Sequence, residues 1–164
     1  MTKFCNRRHV LRAAAGTFVG LTTLSAGSAF GRSLPKFPLV RTDAEWRRIL
    51  NPPAYRVLRK GATENRYTSP LLTEHRKGIF ACAGCDNPLF DSPTKFESGT
   101  GWPSFWRARK GAVVTHVDRS LNMERNEVLC ARCGGHLGHL FRDGPRPTGY
   151  RYCMNGVALA FKPA

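Results

Sequence analysis

Acidic residues are scarce in this 164-residue chain: 11 aspartates and glutamates stand against 26 lysines and arginines, for a formal net charge of +15. Long hydrophobic runs are also missing. The most apolar stretch, residues 13–24, is too short for a membrane span of about 20 residues, so we expect no stable membrane insertion. The chain has no internal repeat and no low-complexity tract. Its basic residues form no block longer than two, which favours a solvated basic surface over a nucleic-acid site.

The first 29 residues have the features of an export signal. Arg7 and Arg8 form a twin arginine in a basic opening, an Ala/Gly-rich apolar stretch follows, and small residues lead up to Ala29. The pattern predicts a twin-arginine signal peptide over residues 1–29 and a periplasmic or otherwise exported mature protein. An uncleaved basic tail is the alternative interpretation. We expect a linker over residues 30–41 and one domain over residues 42–164, long enough to bury a core.

Two C-x-x-C pairs are the most specific motif of the chain. Cys82 and Cys85 form the first pair, and Cys130 and Cys133 form the second. Four thiolates are the complete ligand set of a closed tetrahedral zinc site. The long gap between the pairs predicts a Zn²⁺ ion that joins two distant segments of a larger domain. Two disulfides in an exported protein are the alternative.

The pattern of residues predicts short helices followed by β-strands. Thr42 and Glu45 form a capping box for a helix over residues 43–50, and Gly61 ends a second helix over residues 53–59. Short β-type runs separated by Gly, Pro, Asn and Asp follow. They cover residues 79–81, 89–90, 113–117, 128–129, 140–141 and 151–161. This order predicts an antiparallel β core with helices at its N-terminal edge.

Cys153 is the one cysteine without an assignment. Zinc would take four thiols, and Cys5 lies in the predicted signal peptide. Strand alternation puts Arg151, Cys153 and Asn155 on one face. A guanidinium and a carboxamide on either side of the thiol favour its thiolate form and a nucleophilic role. A buried, inert cysteine is the alternative.

Two other segments offer groups for a reaction site. His136 and His139 follow directly after the second cysteine pair, so a metal would position them rigidly; zinc ligation or an ordinary structural role is the alternative. Trp102 and Phe105 lie on a stiff Gly/Pro frame and present aromatic surface that suits an apolar methyl group. Aromatic residues of this kind also form ordinary core.

Taken together, residues 78–85, 98–105, 130–144 and 151–161 resemble the methionine-R-sulfoxide reductases, the B-type (MsrB) family. The resemblance implies a mainly β fold of two antiparallel sheets and a structural Cys₄ zinc site. It places the nucleophile on Cys153, the methyl pocket at Trp102 with Phe105 beside it, and a polar wall at four residues. The residues of the polar wall are His136, His139, Asn155 and Arg151. The implied partners are oxidised proteins or peptides that contain methionine-R-sulfoxide, and a thioredoxin-like or other dithiol donor.

Thr100 is a departure from this resemblance, because many relatives carry a resolving cysteine at the same place in the motif. Attack of Cys153 on a sulfoxide would leave this cysteine as a sulfenic acid, and we therefore expect an external thiol to reduce it directly. Borrowing a cysteine from the zinc site is the alternative, and it would cost fold stability. Two other classes stay open from the sequence: an exported zinc-ribbon binding module and an exported thiol-disulfide protein.

Overall fold

Residues 35–118 and 124–164 are described by a computed structural model of the chain. Helix α1 covers Asp43–Ile49 and helix α2 covers Pro52–Lys60. The capping box predicted for Thr42 and Glu45 is present, and Gly61 ends α2 in the left-handed conformation that glycine adopts without strain. The predicted signal peptide over residues 1–29 lies outside the described residues.

The strands form two antiparallel sheets, which confirms the predicted fold class. The described strands are β1 Gly78–Cys82, β2 Pro88–Asp91, β3 Lys95–Phe96, β4 Ser104–Phe105, β5 Val113–Asp118, β6 Arg125–Cys130, β7 His136–Phe141, β8 Arg151–Met154 and β9 Leu159–Pro163. One sheet has the order β2-β1-β9, and the other has the order β3-β4-β8-β7-β6-β5. Strand β8 is thus an interior strand of the larger sheet.

A cluster of phenylalanines fills the space between the sheets. Phe90 stacks on Phe105 with ring centroids 4.3 Å apart, and Phe80 meets Phe105 edge-on at 4.9 Å. All three side chains are completely buried. Helix α2 adds Val57 and Leu58 to the same core. Burial of several large apolar side chains is the main force that holds the sheets together.

The predicted strands differ from the structure mainly at three places. The two-residue strands β3 and β4 were not predicted, because such short segments carry no periodic signal. Strand β7 begins at His136, four residues before the predicted start, because Gly138 interrupts the alternation. The strand predicted over residues 151–161 is two strands, β8 and β9, joined by a 3-10 turn over Gly156–Ala158.

The segment before α1 contacts the rest of the fold. The Leu39 N–H donates to the Arg132 carbonyl at 2.9 Å, and the Phe37 ring lies against Gly134. This part of the predicted linker therefore packs on the second cysteine pair. Across residues 35–118 and 124–164, no helix has the length and apolar character that a membrane span requires.

Candidate active site and metal centre

The four cysteines of the two C-x-x-C pairs meet at one point. Their sulfur atoms all lie within 4.8 Å of one another. The Cys82 and Cys133 sulfurs are 3.8 Å apart, and those of Cys85 and Cys130 are 3.5 Å apart. A tetrahedral Zn²⁺ with Zn–S bonds of about 2.3 Å places its sulfurs about 3.8 Å apart. The donor set and its spacing fit Zn²⁺, whereas a disulfide needs sulfurs about 2.05 Å apart.

Both cysteine turns are held by backbone contacts. In each, the residue after the second cysteine donates its N–H to the carbonyl of the first, from Asp86 to Cys82 and from Gly134 to Cys130, at 2.8 Å. The Asn87 carboxamide donates to the Cys130 sulfur at 3.5 Å. Hydrogen bonds among the four thiols divide their acidities: those from Cys133 and Cys82 lower the pKa of Cys130, whereas those from Cys130 raise the pKa of Cys82 and of Cys133.

Cys153 lies at the centre of the larger sheet. In the strand register it faces Ser104 on β4 and His139 on β7, so the three side chains share one face. Gly138 makes the close approach of β7 to β8 possible. A Cβ atom there would lie 2.1 Å from the Cys153 carbonyl oxygen, closer than any real contact. Glycine at this position therefore sets the separation of the histidine strand from the cysteine strand.

The thiol opens into a cavity of about 140 Å³. The cavity combines an indole, a phenyl ring, an imidazole and a carboxamide around the half-buried Cys153. Its lining residues are Thr63, Trp102, Arg125, Gly138, His139, Phe141, Cys153 and Asn155. The size suits one slender side chain, with apolar rings on one part of the wall and polar groups on the other.

The two predicted histidines occupy different places. His139 lines the cavity, and its Nε2 lies 3.2 Å from the Asp118 Oδ2. His136 is buried behind it, with ring centroids 5.4 Å apart and its Nδ1 2.6 Å from the Glu127 Oε1. Burial lowers the pKa of His139, although Asp118 partly opposes that shift. His139 is therefore the histidine that can reach a ligand, and His136 supports it.

Arg151 is held beside the cavity. Its guanidinium donates two hydrogen bonds to the Asp143 carboxylate, at 2.9 and 2.8 Å, and stacks over the Phe141 ring at 4.3 Å. Asp143, with a smaller contribution from Cys153, raises the pKa of Arg151. Arg151 therefore keeps a fixed positive charge on the strand that carries Cys153.

Glu64 joins the two walls of the cavity. Its backbone N–H donates to the Asn155 Oδ1 at 2.8 Å, and its carbonyl accepts the Trp102 Nε1–H at 2.9 Å. Its carboxylate accepts the Gly156 N–H at 2.5 Å. Asn155 is itself buried and donates to the Leu137 carbonyl at 3.1 Å. One residue thus fixes both the indole and the carboxamide.

Phe105 does not line the cavity. Its side chain is completely buried and stacks on Phe90 in the core, on the opposite face of the sheet from Cys153. The interpretation of Phe105 as a substrate contact is therefore replaced by a packing role. Thr100 lies against Cys153, with its Oγ1 3.7 Å from the Cys153 sulfur.

Several residues of the site were not predicted. Asp118 and Glu127 hold the histidines from strands β5 and β6, and Asp143 holds Arg151. For Glu127 the sequence did offer a signal, because strand alternation places this charged side chain on the inward face of its strand. Nothing in the local sequence pointed to Glu64, because its partners lie 38, 91 and 92 residues away in the chain.

Comparison with known proteins agrees with this geometry. Residues 50–163 match the family described as SelR domain. The chain is 51% identical over 124 residues to a peptide methionine sulfoxide reductase MsrB of Agrobacterium fabrum, which covers 75% of this chain and 92% of that protein. It is 52% identical over 130 residues to the MsrB of Leifsonia xyli, with 78% and 94% covered. For the MsrB of Methanosarcina mazei the identity is 50% over 122 residues, with 74% and 87% covered.

These matches extend over most of the chain and over nearly the full length of the relatives. The chain is thus a SelR-domain protein with a two-sheet β fold and a four-cysteine cluster. The chain belongs to the MsrB family, and the resemblance drawn from its sequence motifs is confirmed.

Proposed function

We propose that this protein reduces methionine-R-sulfoxide in oxidised proteins and peptides to methionine, with Cys153 as the nucleophile. The observation that carries the proposal is the convergence of Cys153, His139, Asn155 and Trp102 on one small cavity. The name of the relatives, peptide methionine sulfoxide reductase, supports the substrate class. Free methionine sulfoxide presents the same sulfur and methyl group and is a second substrate to test.

The cavity provides what sulfoxide reduction requires. The Trp102 indole offers an apolar surface for the substrate methyl group, and the polar wall faces the sulfoxide oxygen. The Cys153 thiolate attacks the substrate sulfur while the oxygen takes up a proton. Methionine leaves with its sulfur reduced by two electrons. The oxygen remains as a hydroxyl group on Cys153, whose sulfur is oxidised to a sulfenic acid.

His139 is the proton donor in this scheme. It lines the cavity, whereas His136 is buried behind it and bound to Glu127. The Asp118 carboxylate beside Nε2 orients the ring and stabilises its protonated form. His136, on the same strand, is a positioning residue for His139.

An external thiol completes the cycle. Two thiol groups of the donor convert the sulfenic acid to the Cys153 thiol and water, and the donor leaves as a disulfide. Threonine at position 100, where many relatives carry a resolving cysteine, supports direct reduction. A thioredoxin-like protein or another dithiol fits this chemistry.

The four-cysteine cluster is proposed to hold one structural Zn²⁺. Cys82, Cys85, Cys130 and Cys133 would be its ligands, and the ion would link the turn after β1 to the turn before β7. Zinc binding of this kind contributes directly to folding free energy. Because β7 carries His139, the link also supports the position of the proton donor.

Export is a separate proposal. The Arg7-Arg8 pair and the apolar segment that follows support the twin-arginine route and a periplasmic or otherwise exported location. This route carries folded proteins, so the metal would be bound before export.

Incubation with the separated R and S epimers of methionine sulfoxide, in the presence of dithiothreitol, tests the proposed activity. We expect reduction of the R epimer only. Cys153→Ser should abolish it while melting temperature and zinc content stay unchanged. One turnover without reductant should leave a sulfenic acid on Cys153 that dimedone labels. Near-normal turnover by Cys153→Ser would contradict the mechanism.

A further inference from the structure

Three hydroxyl groups form a chain that ends on the sulfur of Cys153. The Ser104 hydroxyl donates to the Trp102 carbonyl at 3.1 Å, and the Ser98 Oγ lies 2.7 Å from the Ser104 Oγ. The Thr100 Oγ1 lies 2.9 Å from the Ser98 Oγ and 3.7 Å from the Cys153 Sγ. Ser104 is buried, and the other two side chains are half-buried.

One arrangement of the protons satisfies every contact in this chain. Each hydroxyl has one proton to donate. In this arrangement Ser104 donates to the Trp102 carbonyl and Ser98 donates to Ser104. Ser98 then has no proton left for Thr100. The Thr100 proton therefore has two available acceptors, the Ser98 oxygen and the Cys153 sulfur.

From this arrangement we propose that Thr100 is a catalytic residue that donates its hydroxyl proton to the Cys153 thiolate and stabilises it. With a neutral Cys153 thiol, the S–H can donate to Thr100 while Thr100 donates to Ser98. When Cys153 loses its proton, rotation of the Thr100 hydroxyl turns the contact into a hydrogen bond to a negative sulfur. Charge-assisted hydrogen bonds are the stronger kind, so the contact favours the thiolate.

Thr100, which stands where many relatives have a cysteine, thus acts in the attack step. It rests on the proposed nucleophilic role of Cys153. Its test measures the thiolate directly, so the result does not depend on turnover of a sulfoxide.

The test is the rate of Cys153 alkylation by iodoacetamide against pH, measured on the Cys153 peptide by mass spectrometry after treatment of the full, zinc-bound chain. Thr100→Val removes the hydroxyl and keeps the shape of the side chain. We expect the midpoint of the profile to rise by about one pH unit, with alkylation about tenfold slower below the midpoint. Thr100→Ser retains a donor, so its midpoint should stay near that of the parent protein.

Ser98→Ala is the second variant, and it distinguishes the proposal from general disturbance of the loop. It removes the competing acceptor of the Thr100 proton, so the midpoint should stay or move to lower pH. An unchanged or lower midpoint in Thr100→Val would overturn the proposal. Equal upward shifts in Thr100→Val and Ser98→Ala would also overturn it. Active Cys153→Ser would instead contradict the proposed function, whatever the alkylation profiles show.

Discussion

Removal of the Glu64 carboxylate tests how the site is held together. Its Oε2 accepts the Gly156 N–H at 2.5 Å and the Val157 N–H at 3.4 Å. The backbone of the same residue bonds the side chains of Trp102 and Asn155. Glu64→Ala leaves those two backbone groups in place but releases the anchor that positions them. We therefore expect effects on both stability and activity.

The structure sets the size of these effects. A hydrogen bond to a charged group contributes about 1.5–3 kcal/mol. Because Glu64 is half-buried, we take a value near the lower end and expect a loss of about 2 kcal/mol. For a domain of this size that loss corresponds to a fall in melting temperature of about 6–10 °C. Displacement of Trp102 and Asn155 should lower kcat/KM about tenfold or more.

Thermal unfolding and kcat/KM for methionine-R-sulfoxide measure the two effects. Glu64→Gln keeps an acceptor oxygen and should recover most of both. Glu97→Ala is a matched control, because that exposed carboxylate also accepts one loop N–H, from Gly99 at 2.8 Å. It should cost little stability. A Glu64→Ala protein with the melting temperature and activity of the parent would refute the reasoning.

Three further predictions concern the metal, the proton donor and export. Cys130→Ser should lose zinc and lower the melting temperature sharply, because zinc binding is folding free energy; metal analysis and calorimetry check this, and a metal-free variant of equal stability would contradict it. Burial lowers the pKa of His139, so activity that needs its protonated form should fall as pH rises through a value below the usual 6.5 or so. Asp118→Asn removes a contact that raises this pKa, and the fall in kcat/KM should begin at still lower pH; a profile that does not move would count against His139 as the donor. Replacing Arg7 and Arg8 by lysine should block export, and unchanged periplasmic yield would exclude the twin-arginine route.

Local signals in the sequence were sufficient for several parts of the fold. The capping box at Thr42 and Glu45 and the glycine at position 61 depend on groups a few residues apart, so the sequence pattern contains them completely. The two cysteine pairs are local in the same sense. Their meeting within 4.8 Å was expected, because four thiolates form a complete ligand set for one metal ion.

Contacts between distant strands were beyond such reasoning. Glu127 supports His136, and Asp118 supports His139, only after β5, β6 and β7 pair in register. Phe105 was misplaced for a related reason. Its neighbour Ser104 faces Cys153, and alternation along β4 turns Phe105 into the core. The orientation of a two-residue strand depends on its partner and leaves no period to detect.

The interior position of β8 limits how far the Cys153 sulfur can move. Cys153 is paired with β4 on one side and β7 on the other, so its backbone cannot swing outward without breaking the sheet. Rotation about one side-chain bond is the movement that remains, over a few ångströms. In the proposed cycle, the reductant of the oxidised cysteine must therefore enter a recess of about 140 Å³. The shape of the donor's sulfur-bearing tip, as much as its redox potential, would then decide which thiols can restore the protein.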